Sequence, residues 1–358
     1  MSRLIFRDFD EFADSIDGIA GRFVPTARSS AEWWVDAVPA GVLSLQQIQI
    51  GGSATFAGDG QVGSFTLGIP MTKPQCIRID GQRLDSNSFI VLKQNQPFTF
   101  AGHDVTRWAG VTLPVDHPAL SPELLEKLHA SDGACTRTDP LRLEQLRWLV
   151  GRICSGMPTI DLSDPAAAKM AEQEISAVTV RALERSLRLQ LRPIGRPHLS
   201  RERVIARALE LIRTHDGQPL FTSDLCRAAG VSERTLRNTF NEYFGVGPIR
   251  LLKMRQLREI RAALLAADPA RETVASIAGR FGVWDFSLFA RNYKRLFGES
   301  PSQTLRTPAG SLEHADDTSW LGYAVRKFAD DLASACAGGL PRSVAAAAVP
   351  LQTGSNEQ

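Results

Sequence analysis

Between Ser232 and Phe240 the chain reads Ser-Glu-Arg-Thr-Leu-Arg-Asn-Thr-Phe. Four of these side chains, Glu233, Arg234, Arg237 and Asn238, carry donors and acceptors that suit the edges of bases in a DNA major groove. Arginine presents a fork to guanine O6 and N7, and asparagine a donor and an acceptor to adenine N6 and N7. Each pairing is worth about 1–3 kcal/mol of discrimination. Such side chains read bases only if a helix holds them on one side. Leu236 and Phe240, at i and i+4, supply the opposite, inward side. Just upstream, Phe221 to Ala229 has Leu225 and Ala229 facing inward on an earlier helix. Gly230 then gives a sharp turn, Val231 plugs the corner and Ser232 caps the second helix. That layout is a helix-turn-helix.

The pattern returns about 52 residues later. Ile277 corresponds to Leu225, Gly282 to Gly230 and Val283 to Val231; from Phe289 the offset is 53, with Phe289 on Leu236 and Tyr293 on Phe240. One extra residue after the second turn explains the change of register. A helix over roughly Pro248 to Ala267 lies between the units. Two registered copies favour DNA binding over a pair of helical hairpins that only pack on each other. Arg258, Arg261 and Arg271 read as a solvated helix face.

Charge is distributed accordingly. The 358 residues hold 41 Lys+Arg and 39 Asp+Glu, a net of +2. Residues 196–306 hold 19 and 11 of these, so this stretch carries +8 and the remainder −6. Such asymmetry marks a nucleic-acid-binding unit attached to something else, and the acidic part, by repelling phosphate, confines non-specific contact to the basic third. The length predicts about two or three domains.

The second unit, Ile277-Ala278, Phe281-Gly282-Val283, Phe289, Tyr293, Phe297-Gly298-Glu299-Ser300-Pro301 and Leu305-Arg306, resembles the signature of AraC/XylS-type transcriptional regulators. The resemblance covers about 200–306. It implies two helix-turn-helix subdomains joined by a long helix, with recognition helices in major-groove faces about 34 Å apart. Carried over by position, it implies base contacts from Arg234, Arg237 and Asn238 in the first unit, and from Asp285, Phe286, Ser287 and Arg291 in the second. Trp284 and Phe286 depart from a polar expectation and suit packing or thymine methyls. Backbone amides at the two helix starts, with nearby arginines, would hold phosphates.

The front half reads as short strands. Ser64 to Ile69 alternates, Cys76 to Ile79 runs into Asp80-Gly81 as a hairpin, and Ser88 to Leu92 and Val105 to Leu113 continue the series. Helix starts follow at Ser121-Pro122, Asp139-Pro140 and Ser163-Asp164-Pro165. The breaker Arg192-Pro193-Ile194-Gly195-Arg196-Pro197 marks a boundary. The resemblance implies a small β-barrel, often cupin-like, that senses an effector, followed by dimerising helices. The expected class is α+β: an N-terminal β-barrel or sandwich with helices, then an all-α domain of two helix-turn-helix subdomains. The expected division is 1–115 for effector sensing, 116–195 for dimerisation and linkage, 196–306 for DNA, and 307–358 as an extension. In the extension Trp320, Ala324, Phe328 and Leu332 suit a helix, while the end from Val344 has too little to pack.

Trp33, Trp34, Phe65, Phe98, Phe100 and Trp108 are candidates to line an apolar effector pocket, with ordinary core as the competing use. Leu143, Leu146, Val150, Ile153, Ile175, Leu183 and Leu187 suit either a homodimer surface or packing against the strands. His103, His117 and His129 form no metal-ligand pair. The five cysteines show no C-x-x-C spacing, Gly51-Gly52-Ser53 and Gly58-Asp59-Gly60 lack the lysine of a phosphate loop, and no nucleophile context is visible. No metal, cofactor or catalytic residue is therefore expected. With no signal peptide or apolar run of membrane-spanning length, the expected compartment is the cytoplasm. The function expected is a sequence-specific transcriptional activator with double-stranded DNA, a small-molecule effector and RNA polymerase as partners. A constitutive DNA-binding protein whose front half only dimerises, or an enzyme fused to a DNA-binding domain, are the alternatives.

Overall fold

The computed structural model describes residues 3–72, 76–131, 134–154, 162–189, 201–214, 221–306 and 319–328. The breaker at 192–197, Leu332 and the end from Val344 lie outside the described residues.

The front of the chain builds two antiparallel sheets. β1 (Leu4–Phe6), α1 (Phe9–Asp14) and β2 (Ile19–Pro25) lead into β3 (Trp33–Ala40), β4 (Leu43–Ile50), β5 (Ala54–Gly60) and β6 (Ser64–Pro70). β7 (Ile77–Ile79), β8 (Gln82–Arg83), β9 (Ser88–Leu92), β10 (Pro97–Gly102) and β11 (Thr106–Pro114) follow, with β12 (Cys135–Arg137) added later. One sheet has the order β1-β3-β4-β11-β6-β9-β12 and the other β2-β5-β10-β7-β8. The strands do not close on themselves, so the sandwich is the form adopted and the cupin-like barrel is not. The Asp80-Gly81 turn joins β7 to β8 with both residues at positive φ, 48° and 74°, the twist a two-residue hairpin requires.

Between the sheets lies an aromatic core that includes Phe12, Phe23, Trp33, Phe56, Phe98, Phe100 and Trp108. The larger sheet is buried on its other face as well. Alternation along β6 and β11 sends Phe65, Leu67, Ala109, Val111 and Leu113 away from the sandwich and against a helical layer. That layer comprises α2 (Pro122–Ala130), α3 (Pro140–Cys154) and α4 (Pro165–Leu189). Each starts where the cap residues direct: the Ser121 hydroxyl accepts from Leu124 N at 3.2 Å, Asp139 from Leu141 N at 2.9 Å and Asp164 from Ala166 N at 3.2 Å. Leu143, Leu146, Val150, Ile153, Ile175 and Leu183 are buried against the sheet, with Leu187 packed beside them. Of the two uses open to these residues, they take internal packing, so they offer no free dimer surface.

The back of the chain is helical: α5 (Arg201–Thr214), α6 (Thr222–Ala229), α7 (Glu233–Phe244), α8 (Pro248–Ala266), α9 (Val274–Arg280), α10 (Phe286–Phe297), α11 (Pro301–Leu305) and α12 (Trp320–Lys327). α12 is wedged between the halves. Trp320, Tyr323, Ala324 and Phe328 join one core with Phe240 and Phe244 of α7 and with Val24 and Ala57 on the outer face of the smaller sheet. At its end Arg326 meets Asp59 at 3.1 Å and Lys327 meets Asp80 at 3.2 Å.

Candidate nucleic-acid interface

α6 and α7 form the first helix-turn-helix. Leu225, Leu236 and Phe240 are fully buried and Ala229 nearly so, which fixes the angle between the two helices. Gly230 turns the chain at φ 68°, in the left-handed region that glycine enters without strain. The Ser232 hydroxyl then caps α7, accepting from Thr235 N at 3.3 Å. Glu233, Arg234, Arg237 and Asn238 all stand exposed on the outer side of α7. The structure thus brings the four sequence candidates of this unit onto one helix face. Glu233 holds Arg237 in an i, i+4 ion pair at 2.6 Å, both side chains being more than half exposed. Arg234 and Asn238 have no ion pair or side-chain hydrogen bond among the described residues, so their donors are open to a ligand.

α9 and α10 form the second unit, and the extra residue is visible. In the first turn one residue, Val231, separates the glycine from the cap; in the second, Val283 and Trp284 separate Gly282 from the cap Asp285. Trp284 is the insertion, and with no place in the hairpin core it stands 89% exposed. Asp285 accepts from Leu288 N at 2.8 Å, so one carboxylate oxygen is committed to the helix start. Phe286, Ser287 and Arg291 are exposed on α10, and Phe286 and Leu288 add apolar surface beside Trp284. The outer face of α10 is therefore partly apolar where that of α7 is polar. Inside, the Tyr293 hydroxyl donates to Thr304 Oγ1 at 2.8 Å, and burial holds its pKa above the ordinary phenol value.

α8 links the two units, with Leu251, Met254, Leu257, Ile260 and Leu264 on its buried side. Its arginines correct the sequence expectation. Arg258 and Arg261 are not a solvated face: Arg258 pairs with Asp10 of α1, and Arg261 lies 3.3 Å from Asp8 and 3.5 Å from Glu299. Burial pulls the Arg258 guanidinium down to about 10. Arg271 alone of the three is solvated, 85% exposed and 3.5 Å from Asp268. Sequence reasoning missed this seam because the partners sit some 250 residues away, beyond any local pattern.

The pocket candidates divide by strand parity. Phe98, Phe100 and Trp108 line a cavity of about 70 Å³ inside the sandwich, with Gln46 and Thr66 among the polar groups of its wall. Trp33 instead packs edge-on against Phe9 and Phe12, its indole N–H donating to Ser29 Oγ at 2.7 Å. Trp34 and Phe65 do not reach the cavity, because each lies on the opposite face of the larger sheet. Arg3 stacks 3.9 Å over Trp34, and Phe65 meets His129 edge-on. The indole N–H of Trp108, lining the cavity, is buried without an acceptor. The histidines serve separate places: His117 faces Glu172 at 3.4 Å and His103 packs against Gly245 at the end of α7. Among the described residues no group of three His, Cys, Asp or Glu is placed to hold a metal ion, and no helix is long and apolar enough to cross a membrane.

Comparisons with known proteins agree with the back half of this geometry. A family described as a helix-turn-helix domain matches residues 225–307. The chain is similar to the probable thc operon regulatory protein of Rhodococcus erythropolis, 40% identical over 104 residues, 29% of this chain and 31% of that protein. It is also similar to a XylDLEGF operon transcriptional activator of Pseudomonas putida, 32% identical over 100 residues, 28% of this chain and 31% of that protein. The chain thus spans about a third of the length of these relatives. Among solved structures, the AraC-like transcriptional activator CuxR aligns over 78% of this chain and 99% of its own, at 13% identity and a TM-score of 0.36. With its two capped, registered units and this match, the segment from 225 to 307 is a helix-turn-helix domain, and over about a hundred residues the chain is similar to operon regulators of the AraC/XylS type.

Proposed function

We propose that the protein is a sequence-specific DNA-binding transcriptional regulator whose front half responds to a small-molecule effector. The observation that carries this is the pair of registered helix-turn-helix units, each presenting the outer face of its second helix. The first helix would read bases through Arg234, Arg237 and Asn238, with Glu233 beside them. The second would use Phe286, Ser287 and Arg291, with the free oxygen of Asp285. Activation is supported by the name of the Pseudomonas relative, a transcriptional activator, and contact with RNA polymerase is the route we propose for it. A regulatory rather than an enzymatic role for the protein is favoured because both relatives, matched over about a hundred residues, are named as regulators.

The sandwich cavity is the supported effector site, but about 70 Å³ is well below the roughly 300 Å³ of an ordinary ligand pocket. An effector there has to open the sandwich. It would shift the seam to α8 only through different affinity for the two arrangements. A homodimer, if formed, would use surface other than the buried α3 and α4 residues; Leu141 and Trp148 of α3, 75% and 62% exposed, are available.

The test is footprinting of the full chain on upstream DNA, followed by Arg237→Ala. A cognate affinity that falls about tenfold or more, with little change on random DNA, supports base reading. Equal losses on both would assign Arg237 to the phosphate backbone.

A further inference from the structure

The β2–β3 connection, α8 and α10 border a second cavity, of about 280 Å³, on the seam between the halves, open to solvent where its cations stand exposed. Arg28 comes to it from the sandwich side, Arg250 and Lys253 from α8, and Arg295 from α10, around a floor that includes Met254 and Leu296. Among the described residues none of these four cations has a carboxylate partner. Arg250 donates to the Thr26 carbonyl at 3.1 Å and Arg295 to Asn292 Oδ1 at 3.1 Å, both neutral acceptors. The next arginines along α8 differ: Arg255, Arg258 and Arg261 are paired with Glu259, Asp10 and Asp8. The helix therefore neutralises its charge everywhere except at this cavity.

We propose that this seam cavity binds a short organic dianion, such as a dicarboxylate on an apolar body. Four converging positive charges raise the local potential beyond what one carboxylate would balance, and arginine forks suit carboxylates in pairs. The buried methionine and leucines take the carbon chain. An apolar cavity of about 150 Å³ holds benzene, so this one takes about a dozen heavy atoms. The floor of Met254, Leu257 and Leu296 offers apolar contact that a phosphate backbone cannot use, which favours a small molecule with a carbon body. Because the ligand would touch the sandwich, α8 and α10 together, it would favour the closed seam over any arrangement that parts them. That consequence for regulation rests on the function proposed above; the binding itself does not.

Titration calorimetry of the full chain tests the site with octanedioate, octanoate, 1,8-octanediol and inorganic phosphate. Octanedioate is expected to bind saturably, about tenfold or more tighter than octanoate, with no binding of the diol. The exposed-site double variant Lys253→Met/Arg295→Met, and separately Arg28→Met from the opposite wall, should each weaken octanedioate about tenfold while the thermal midpoint stays within a few degrees. The idea is overturned if the diol or phosphate binds as tightly as the diacid. Undiminished binding in both folded variants overturns it too. Promoter binding measured on the same samples separates the two proposals. For the unsubstituted chain, absence of promoter binding with octanedioate binding intact counts against the regulator alone, and the converse counts against the cavity alone; a variant that loses promoter binding while keeping octanedioate overturns the cavity, because its cations then serve DNA.

Discussion

Arg258, in the middle of α8, buries its guanidinium against the carboxylate of Asp10, 248 residues earlier in the chain. The same carboxylate lies 3.3 Å from Arg22 Nε, and Arg22 also reaches Asp14 through Nη1 at 2.8 Å, so one acid faces two buried cations and ties the first helix to the helix that joins the helix-turn-helix units. Part of the acidic excess of the front half is thereby matched to the basic third.

Asp10→Asn should therefore be costly. Removing one partner of a buried pair leaves uncompensated charge, at about 3–5 kcal/mol. Urea unfolding of the full chain is the check. A change under about 1 kcal/mol would show that the guanidinium finds water or another acid instead. Replacing both Asp10 and Arg258 with Leu and Met should recover much of the loss.

Glu233→Ala should leave stability within about 0.5 kcal/mol, because the pair with Arg237 is exposed and of the i, i+4 kind. On DNA the variant removes a charge that repels phosphate and occupies Arg237. Affinity for random duplex is expected to rise several-fold, measured by anisotropy at fixed salt. A selective fall on the cognate site would instead identify Glu233 as the acceptor of a cytosine amino group.

Gly230→Ala isolates backbone strain. A Cβ there would have Arg207 Nη1 as its nearest neighbour, at an unstrained 3.6 Å, so only φ 68° penalises a side chain. The expected loss is about 1–2 kcal/mol by denaturant unfolding, with Asn costing less than Ala. A loss above about 4 kcal/mol would mean that the added methyl collides after all.

His103 makes stability depend on pH. Burial, with Arg78 and Arg83 nearby, lowers its pKa below the ordinary 6.5. The folded chain then binds fewer protons than the unfolded chain over the window from about 6.5 down to the lowered value, so stability falls as pH falls through that window and is unaffected above it. In His103→Gln the difference in thermal midpoint between about pH 7.5 and about pH 5.5 should shrink; an unchanged difference would place the titration elsewhere.

The two helix-turn-helix units were legible because their determinants are local. A cap, a left-handed glycine and apolar residues at i and i+4 lie within a dozen positions, and the shift of register already pointed to an extra residue that the structure identifies as Trp284. The pocket candidates were half legible. In a sheet covered on both faces, inward and outward residues are equally apolar, so nothing in the pattern distinguishes Phe65 from Phe98. Strand pairing and parity decide it.

By itself the sequence determined the strand-rich front, the capped helices, the paired helix-turn-helix units and the segregation of charge, since each depends on neighbours in the chain or on composition. Only the tertiary structure decided that Arg258 and Arg261 are buried at a seam, that the α3 and α4 leucines cover the sandwich, and that Arg28 meets Arg295 across a cavity. Those contacts join residues far apart in the chain, and their energies depend on burial and distance, which no local spacing encodes.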